Sequence, residues 1–118
     1  MNFKRIYKKY RQIINKTGGM CAYCGGDADQ VDHINPRIKG GKNNEENLVC
    51  VCKRCNVIKN CHTLESFREK LFRHLNKIPH FTDIQKEWLL NKEFKMPDID
   101  LVFYFEKMNI DIYSKGIK

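Results

Sequence analysis

Residues 31–59 read VDHINPRIKGGKNNEENLVCVCKRCNVIK, and they carry the pattern from which the central structure can be predicted. It opens on the pair Asp32 and His33 and closes on a Cys-x-x-Cys-Asn run at residues 52–56. Upstream, a second Cys-x-x-Cys turn lies at residues 21–24. Thiolates on two such turns can close a tetrahedron around a zinc ion and leave no open position for chemistry. The pattern therefore predicts a structural zinc site that encloses the Asp-His pair.

Four of the six cysteines are the predicted zinc ligands: Cys21, Cys24, Cys52 and Cys55. The 27 residues between the two pairs exceed the spacing of common zinc ribbons, because a hairpin and its loop must fit between them. The alternative is that the four thiols are unrelated buried side chains. Cys50 and Cys61 are left over, and Cys50 is expected to be a small core residue.

Local patterns predict two short strands and a helix around this site. Residues 30–34 and 48–51 have the composition of antiparallel strands. The 13 residues between them contain Pro36, a Gly-Gly pair and an Asn-Asn pair, which favour a loop longer than an ordinary hairpin connection. A helix is expected to start after Cys52 and to carry Asn56 in its first turn.

The flanking sequence is predicted to be mostly helical. Apolar residues recur at helical spacing before a Gly-Gly stop at residues 18–19, opposite a basic face: they are Phe3, Ile6, Tyr7, Tyr10, Ile13 and Ile14. The basic face either contacts nucleic acid or is simply solvated. Thr63 is expected to cap a helix that stops at Pro79, and Thr82 to open another with a capping box. Residues 101–105 suit either a strand or a buried helical turn.

Positive charge is concentrated in the half of the chain that carries these motifs. The formal net charge is +8, and residues 1–60 hold 12 Lys and Arg against 5 Asp and Glu, whereas residues 61–118 hold 10 against 9. This imbalance is expected for a half that faces a phosphate backbone. The competing interpretation is that the charge only keeps a small protein soluble.

The cysteines also indicate a compartment. A disulfide scaffold would need an oxidising environment, yet the N-terminal residues MNFKRIYKKYRQ contain no apolar region of an export signal. Zinc binding in the reducing cytoplasm is therefore expected. No apolar run approaches the ~20 residues of a membrane span, so no membrane association is expected.

Residues 20–59 resemble the HNH endonuclease family in its zinc-stapled version. The matching residues are Cys21, Cys24, Gly25, Asp32, His33, Pro36, Gly40, Gly41, Asn47, Leu48, Cys52, Cys55, Asn56 and Lys59. Their order and spacing together are more specific than any single motif. The resemblance implies one α+β domain over residues 1–118. It comprises a ββα-metal core at residues 20–62, an N-terminal helix and a helical C-terminal extension at residues 63–118.

The resemblance also implies roles for the site residues. His33 falls on the general base that takes a proton from the attacking water. Asp32 and Asn56 fall on the ligands of one catalytic cation, and Asn47 on the residue that fixes the loop carrying His33. Many family members have His at the position of Asn56, so this chain is of the HNN type. An amide oxygen there favours Mg²⁺ or Mn²⁺, and His62 is the less favoured replacement ligand.

By resemblance, the chain is a DNA endonuclease that hydrolyses phosphodiester bonds to 5′-phosphate and 3′-hydroxyl ends, with RNA left open as a substrate. Six cations near the motifs are expected to contact phosphates: Arg37, Lys39, Lys42, Lys53, Arg54 and Lys59. Two other classes remain. They are a non-catalytic nucleic-acid-binding zinc module and a protein-interaction module in a defence or counter-defence system. A binding module has no need for Asp32, His33 and Asn56 together.

Overall fold

The computed structural model describes residues 3–79, 81–92 and 98–116, with side chains from Lys9 onward. Among these residues, the α-helices and β-strands in chain order are α1 (Phe3–Asn15), β1 (Gln30–His33), β2 (Leu48–Val51), α2 (Lys53–Lys59), α3 (Leu64–Asn76), α4 (Asp83–Asn91) and α5 (Tyr104–Lys107). The α+β class predicted from the sequence is confirmed.

β1 and β2 form an antiparallel hairpin, with Gln30 opposite Val51 and His33 opposite Leu48. The predicted strands are confirmed, although β1 ends at His33 and not at Ile34. Ile34 still donates its backbone N–H to the Asn47 carbonyl at 2.8 Å, so the pairing runs one step further. Every residue of β2 is buried, which makes this strand the centre of the fold.

α1 contacts the hairpin through its C-terminal turns, where Ile13 and Ile14 are buried. The helix is followed by Gly18 and Gly19, whose φ angles of 62° and 83° lie in the left-handed region that favours glycine. The predicted apolar positions Phe3, Ile6 and Tyr7 lie outside the described side chains. The predicted stop before the Gly-Gly pair is confirmed, because α1 ends at Asn15.

α2 begins at the second Cys-x-x-Cys turn, as predicted. Cys52 is its N-cap, and its Sγ accepts a hydrogen bond from the backbone N–H of Cys55. A helix of seven residues is too short to be stable in isolation. Its stability must therefore come from packing against α3 and β1, together with any metal ion that the cysteines hold.

The first Cys-x-x-Cys turn is closed by backbone hydrogen bonds on both sides. Cys21 donates its N–H to the Gly26 carbonyl at 2.6 Å, and Gly25 donates to the Cys21 carbonyl at 2.9 Å. Gly25 has a φ of 78°, and a Cβ at this position would lie 2.8 Å from the Tyr104 ring. Glycine is therefore required here by both backbone conformation and packing.

The largest part of the core is aromatic and joins distant parts of the chain. Tyr23 packs against Phe67 of α3 and against Phe103, with ring centroids 5.0 and 5.4 Å apart. Thr63 caps α3 as predicted. Residues 101–105 form a loop that enters α5, so the helical turn is confirmed over the strand. Because these contacts link residues 20–62 to residues 63–118, the proposed division at residue 62 stays a prediction.

A buried lysine ties α1 to the hairpin and to the C-terminal segment. Lys16 Nζ donates to the backbone carbonyls of Glu45, Leu48 and Ile112 at 2.7, 2.9 and 2.8 Å. Burial lowers the pKa of this ammonium to about 8, against 10.5 for an ordinary lysine. The C-terminal segment is therefore held in place by a polar contact as well as by apolar packing.

α4 forms as a helix of the predicted C-terminal extension but contributes nothing to the core. Its capping box, formed by Thr82 and Gln85, is present as predicted. However, the helix has no buried residue, and Trp88 is 59% exposed. Among the described residues, the core contribution of this region comes from α3 and from the segment around α5.

No helix in the described part of the chain combines the length and the apolar character that a membrane crossing requires.

Candidate active site

The two Cys-x-x-Cys turns come together in space. The Sγ atoms of Cys21, Cys24, Cys52 and Cys55 all lie within 4.8 Å of one another. Cys24 Sγ and Cys52 Sγ are 3.7 Å apart, too far for a disulfide bond. A tetrahedron with metal–sulfur bonds of 2.3 Å has edges of about 3.8 Å. The four thiols can therefore hold a metal ion, and the predicted clustering is confirmed.

Proximity also changes the acidity of these thiols. The hydrogen bond with Cys55 lowers the pKa of Cys21 to about 5, while the same bond raises the pKa of Cys55. Cys21 is therefore the thiol that loses its proton first, and Cys55 keeps its proton and donates it to the Cys21 thiolate. Such a cluster readily accommodates a cation, because thiolates are the species that bind metals.

Cys50 is not part of this cluster. It is fully buried against α1, and its Sγ donates to the Met20 carbonyl at 3.3 Å and lies 3.1 Å from Thr17 Oγ1. Burial raises the pKa of the Cys50 thiol, so it stays protonated at neutral pH. The prediction that Cys50 is a small core residue is confirmed.

His33 lies at the end of β1 and contacts the loop that joins the strands. Its Nε2 is 3.0 Å from Oδ1 of Asn43. Because an amide oxygen can only accept, Nε2 must carry the hydrogen of this bond. In the neutral imidazole, Nδ1 is then unprotonated, and it has no hydrogen-bond partner among the described residues. The loop therefore sets the ring tautomer and leaves Nδ1 as the basic nitrogen.

Asn47 fixes the same loop from its other end. Its Oδ1 accepts from the backbone N–H of Asn35 at 2.8 Å, and its Nδ2 donates to the carbonyls of Asn35 and Lys42 at 2.9 and 2.8 Å. All three contacts are to backbone atoms, so the amide determines the path of residues 35–42. Asn43 follows directly, which connects this clamp to the orientation of His33.

Asp32 points to the opposite face of β1 from His33, because successive side chains in a strand alternate. Its Oδ2 binds Lys59 Nζ at 2.9 Å and accepts from the Tyr23 hydroxyl at 3.0 Å. Burial and the nearby carboxylate raise the pKa of Tyr23 well above its ordinary value, so the hydroxyl remains a donor. Both contacts use the same oxygen, and Oδ1 binds none of the described residues.

Asn56 lies one turn before Lys59 on the face of α2 that packs against β1. Its Nδ2 donates to Oε1 of Gln30 at 2.6 Å. This bond directs the NH₂ group toward β1 and leaves the amide oxygen of Asn56 without a partner among the described residues. Gln30 and Asp32 lie two apart on the same strand face. The free oxygens of Asp32 and Asn56 therefore belong to the same interface between β1 and α2.

A cavity of about 380 Å³ opens beside the His33 ring. His33, Asn43, Asn56 and Gln30 line its polar side. Its volume is within the range of about 300–1,000 Å³ typical of ligand sites. Asp32 does not line this cavity. His33 and Asn56 thus line the same cavity. The Asp32 carboxylate lies outside that cavity and is paired with Lys59.

Five of the six cations that were predicted to contact phosphates are exposed: Arg37, Lys39, Lys42, Lys53 and Arg54. Lys59 differs, because it is fully buried and its Nζ binds the His33 carbonyl at 2.8 Å in addition to Asp32. This placement corrects the expected role of Lys59. An ammonium with no exposed surface orients the strand and its carboxylate, and does not reach a phosphate backbone.

Three residues of the site had no signal in the sequence: Gln30, Asn43 and Tyr23. Asn43 is ten residues from His33 in a loop rich in Gly and Asn, and nothing in the sequence distinguishes it from the other asparagines of that loop. The pattern around Gln30 indicates only a strand residue. Their roles depend on the path of the loop and on the docking of α2, which the local pattern does not specify.

Comparison with known proteins finds similarities that cover this site. A family model described as HNH endonuclease matches residues 21–68, a range that contains both Cys-x-x-Cys turns, the hairpin and α2. The chain is also similar to the CRISPR-associated endonuclease Cas9 of Corynebacterium diphtheriae, with 43% identity over 53 residues. That similarity covers 41% of this chain and 5% of the relative. The chain therefore spans about a twentieth of the length of the curated relative it matches.

Proposed function

We propose that this chain is a metal-dependent endonuclease that hydrolyses phosphodiester bonds of DNA, because residues 21–68 match the model of the HNH endonuclease family. The observation that carries the proposal is the geometry of His33. Its ring is oriented by Asn43 so that Nδ1 is basic, and it lines a cavity together with Asn56. The excess of cations in residues 1–60 supports a polyanionic substrate.

Two kinds of metal ion are part of this proposal. Zinc is proposed at the four cysteines, because four thiolates with these separations suit tetrahedral zinc and leave no position for substrate. Mg²⁺ or Mn²⁺ is proposed at Asp32 Oδ1 and the Asn56 amide oxygen, since both are hard oxygen ligands. When bound there, the cation would stabilise negative charge on the phosphate and on the leaving 3′ oxygen.

The residues of the chain have distinct roles in the proposed reaction. His33 Nδ1 takes a proton from a water molecule, and the resulting hydroxide attacks the phosphorus in line with the 3′ oxygen. The bond between phosphorus and the 3′ oxygen breaks, and the leaving oxygen takes a proton from solvent water, which gives 5′-phosphate and 3′-hydroxyl ends. Throughout, Nε2–H remains bound to Asn43, while Asn47 holds the loop in place. Lys59 and Tyr23 keep the Asp32 carboxylate in one orientation.

One observation favours the alternative of a non-catalytic zinc-stapled module that binds nucleic acid or protein. The Asp32 carboxylate, needed for the catalytic cation, is already paired with Lys59 and lies outside the cavity of His33. In the alternative, the ion pair of Asp32 with Lys59 joins β1 to α2 and has no part in catalysis. The two functions differ in whether the intact chain cuts DNA.

The test is cleavage of supercoiled plasmid by the full chain. The wild-type protein is incubated with Mg²⁺, with Mn²⁺ and with no added divalent cation, and compared with His33→Ala. The matched control is His74→Ala, because His74 is an exposed histidine in the last turn of α3. Zinc content and circular dichroism of each protein show whether the fold is retained.

Nicked or linear products with Mg²⁺ or Mn²⁺ from the wild type and from His74→Ala are expected. Folded His33→Ala is expected to be slower by ~10²- to 10⁴-fold, the usual contribution of a positioned base. A folded His33→Ala protein that cuts at the wild-type rate would overturn the assignment of the base. A wild type that binds DNA and cuts under none of these conditions would favour the non-catalytic module.

A further inference from the structure

We infer that a second cavity, between α1 and the loop before β2, binds the sugar-phosphate unit next to the phosphate that is cut. This inference rests on the proposed function and specifies where the DNA strand runs. The cavity has a volume of about 710 Å³ and is lined by residues 9–13, residues 43–45 and Leu48. That volume is within the range of about 300–1,000 Å³ seen for ligand sites.

The second cavity adjoins the cavity that His33 lines. Tyr10, Asn43 and Leu48 line both spaces, so they form a shared wall. Asn43 is also the residue whose Oδ1 binds His33 Nε2. A strand with one phosphate beside His33 therefore continues directly into the second cavity. Consecutive units of one strand would occupy the two spaces.

The charges of the second cavity suit a phosphate. Lys9 and Arg11 of α1 line it and are exposed, which lets each contact a phosphate oxygen. Glu45 is the acid among the described lining residues, so cations outnumber acids by two to one. The side-chain amides of Asn43 and Asn44 can both donate and accept, which suits sugar and base edges without selecting one base.

Tyr10 holds one of these cations at the cavity wall. Its φ of −116° and ψ of 30° depart from helical values inside α1. The ring packs against the cluster of Ile14, Ala28 and Cys50, and Lys9 Nζ lies 5.3 Å from the ring centroid. A cation at this distance is attracted to the ring face. Tyr10 is therefore a positioning residue that acts through Lys9.

The test measures DNA affinity without cleavage. A short fluorescein-labelled DNA duplex is titrated with full-length His33→Ala protein at several salt concentrations, with no added divalent cation. Lys9→Gln, Arg11→Gln and Glu45→Gln are each added to this background. The matched control is Lys86→Gln, because Lys86 is an exposed lysine of α4 that does not line the cavity. Zinc content and circular dichroism confirm that each variant is folded.

Loss of Lys9 or Arg11 should weaken binding, and the slope of log affinity against log salt should become shallower by about one for each. Glu45→Gln should strengthen binding, because it removes repulsion between carboxylate and phosphate. Lys86→Gln should change neither quantity.

Tyr10 is tested with a double-mutant cycle. Tyr10→Phe retains the aromatic ring and should bind as its parent does, whereas Tyr10→Leu should weaken binding. In a Lys9→Gln background, Tyr10→Leu should have little further effect, because its contribution passes through Lys9. A purely structural role for the ring would give additive losses and overturn its assignment as a positioning residue.

The outcomes separate this inference from the proposed function. If Lys9→Gln and Arg11→Gln both bind DNA like Lys86→Gln, while the same variants with His33 intact still cut plasmid, the second site is wrong and the nuclease assignment stands. If no variant binds DNA and the wild type does not cut plasmid, both are overturned.

Discussion

At the scale of single residues, one hydrogen bond decides which nitrogen of His33 is basic. The Asn43 amide oxygen accepts from Nε2–H, which leaves Nδ1 to take a proton. The Asn47 amide holds the preceding loop through three backbone contacts. An imidazole at the end of a strand thereby acquires a defined tautomer and direction, which general-base catalysis requires.

Asn43→Ala tests this orientation directly. We expect plasmid cleavage to slow by about 10- to 100-fold, the usual cost of losing a residue that orients a functional side chain. Asn43→Asp keeps an acceptor and should retain activity. Its carboxylate stabilises the imidazolium, so the acid limb of the pH–rate profile should move to higher pH. Unchanged rates and profiles in both folded variants would contradict the role of Asn43.

Gly41→Ala tests the loop that Asn47 holds. A Cβ at Gly41 would collide with the Asn35 carbonyl oxygen, so the loop must move to admit it. Because Asn35 is also clamped by Asn47, we expect loss of cleavage with the zinc content unchanged. The matched control is Gly40→Ala, where nothing lies within 4 Å. There the φ of 89° should cost about 1–2 kcal/mol of stability while activity is retained. Equal activity losses would show that the close contact at Gly41 is unimportant.

At the scale of elements, the cysteine cluster can stabilise α2, which is too short to be stable alone. α2 has seven residues, and Cys52 both caps it and contributes one of the four clustered sulfurs. Helices of this length are marginal in water. A metal at the cluster would join the start of α2 to the first Cys-x-x-Cys turn, and so align Asn56 and Lys59 with β1.

Metal removal should therefore unfold the core. We expect about one zinc per chain by elemental analysis, and loss of both zinc and the folded circular dichroism spectrum in Cys21→Ser, because binding and folding are coupled. Cys50→Ser and Cys61→Ser should keep their zinc, since neither thiol belongs to the cluster. If protein purified without chelator is folded and contains no zinc, the proposed structural zinc site is wrong.

At the scale of the whole molecule, two long-range contacts attach the C-terminal segment to the hairpin. Phe103 packs in the aromatic core with Tyr23 and Phe67. Lys16 Nζ joins α1, the loop before β2 and the Ile112 carbonyl. α4 takes no part in either contact, and its exposed Trp88 has no core role among the described residues. The fold thus depends on the segment around α5 more than on α4.

Lys16→Met should lower the free energy of unfolding by about 1–3 kcal/mol at pH 7, because three carbonyls lose their charged donor. The pKa of Lys16 is lowered from 10.5 to about 8 in the folded chain. Between pH 8 and pH 10.5, Lys16 binds more protons in the unfolded chain than in the folded chain. The free energy of unfolding of the wild type therefore rises with pH across this window, and this gain is lost as the pH falls back through 8. The stability difference from Lys16→Met should grow over that window in denaturant titrations. A constant difference would contradict the shifted pKa.

Features that depend on short spacing follow from the order of the residues alone. The α+β class, both strands, the start of α2, the caps of α3 and α4 and the clustering of four cysteines were all predictable. They follow from alternation, capping chemistry and the geometry of Cys-x-x-Cys turns, which act over a few residues. The resemblance of residues 20–59 to the HNH family also came from order and spacing, and the family match agrees with it.

Which side chains come into contact depends on how the elements pack in three dimensions. The docking of α2 on β1 buries Lys59 against Asp32 and turns an expected phosphate ligand into a structural cation. The path of the loop brings Asn43 to His33, and the position of α1 places a second cavity beside the first. These contacts join residues far apart in the chain, and their partners are chosen by packing and by competition for buried hydrogen bonds. No local pattern of residues encodes that choice.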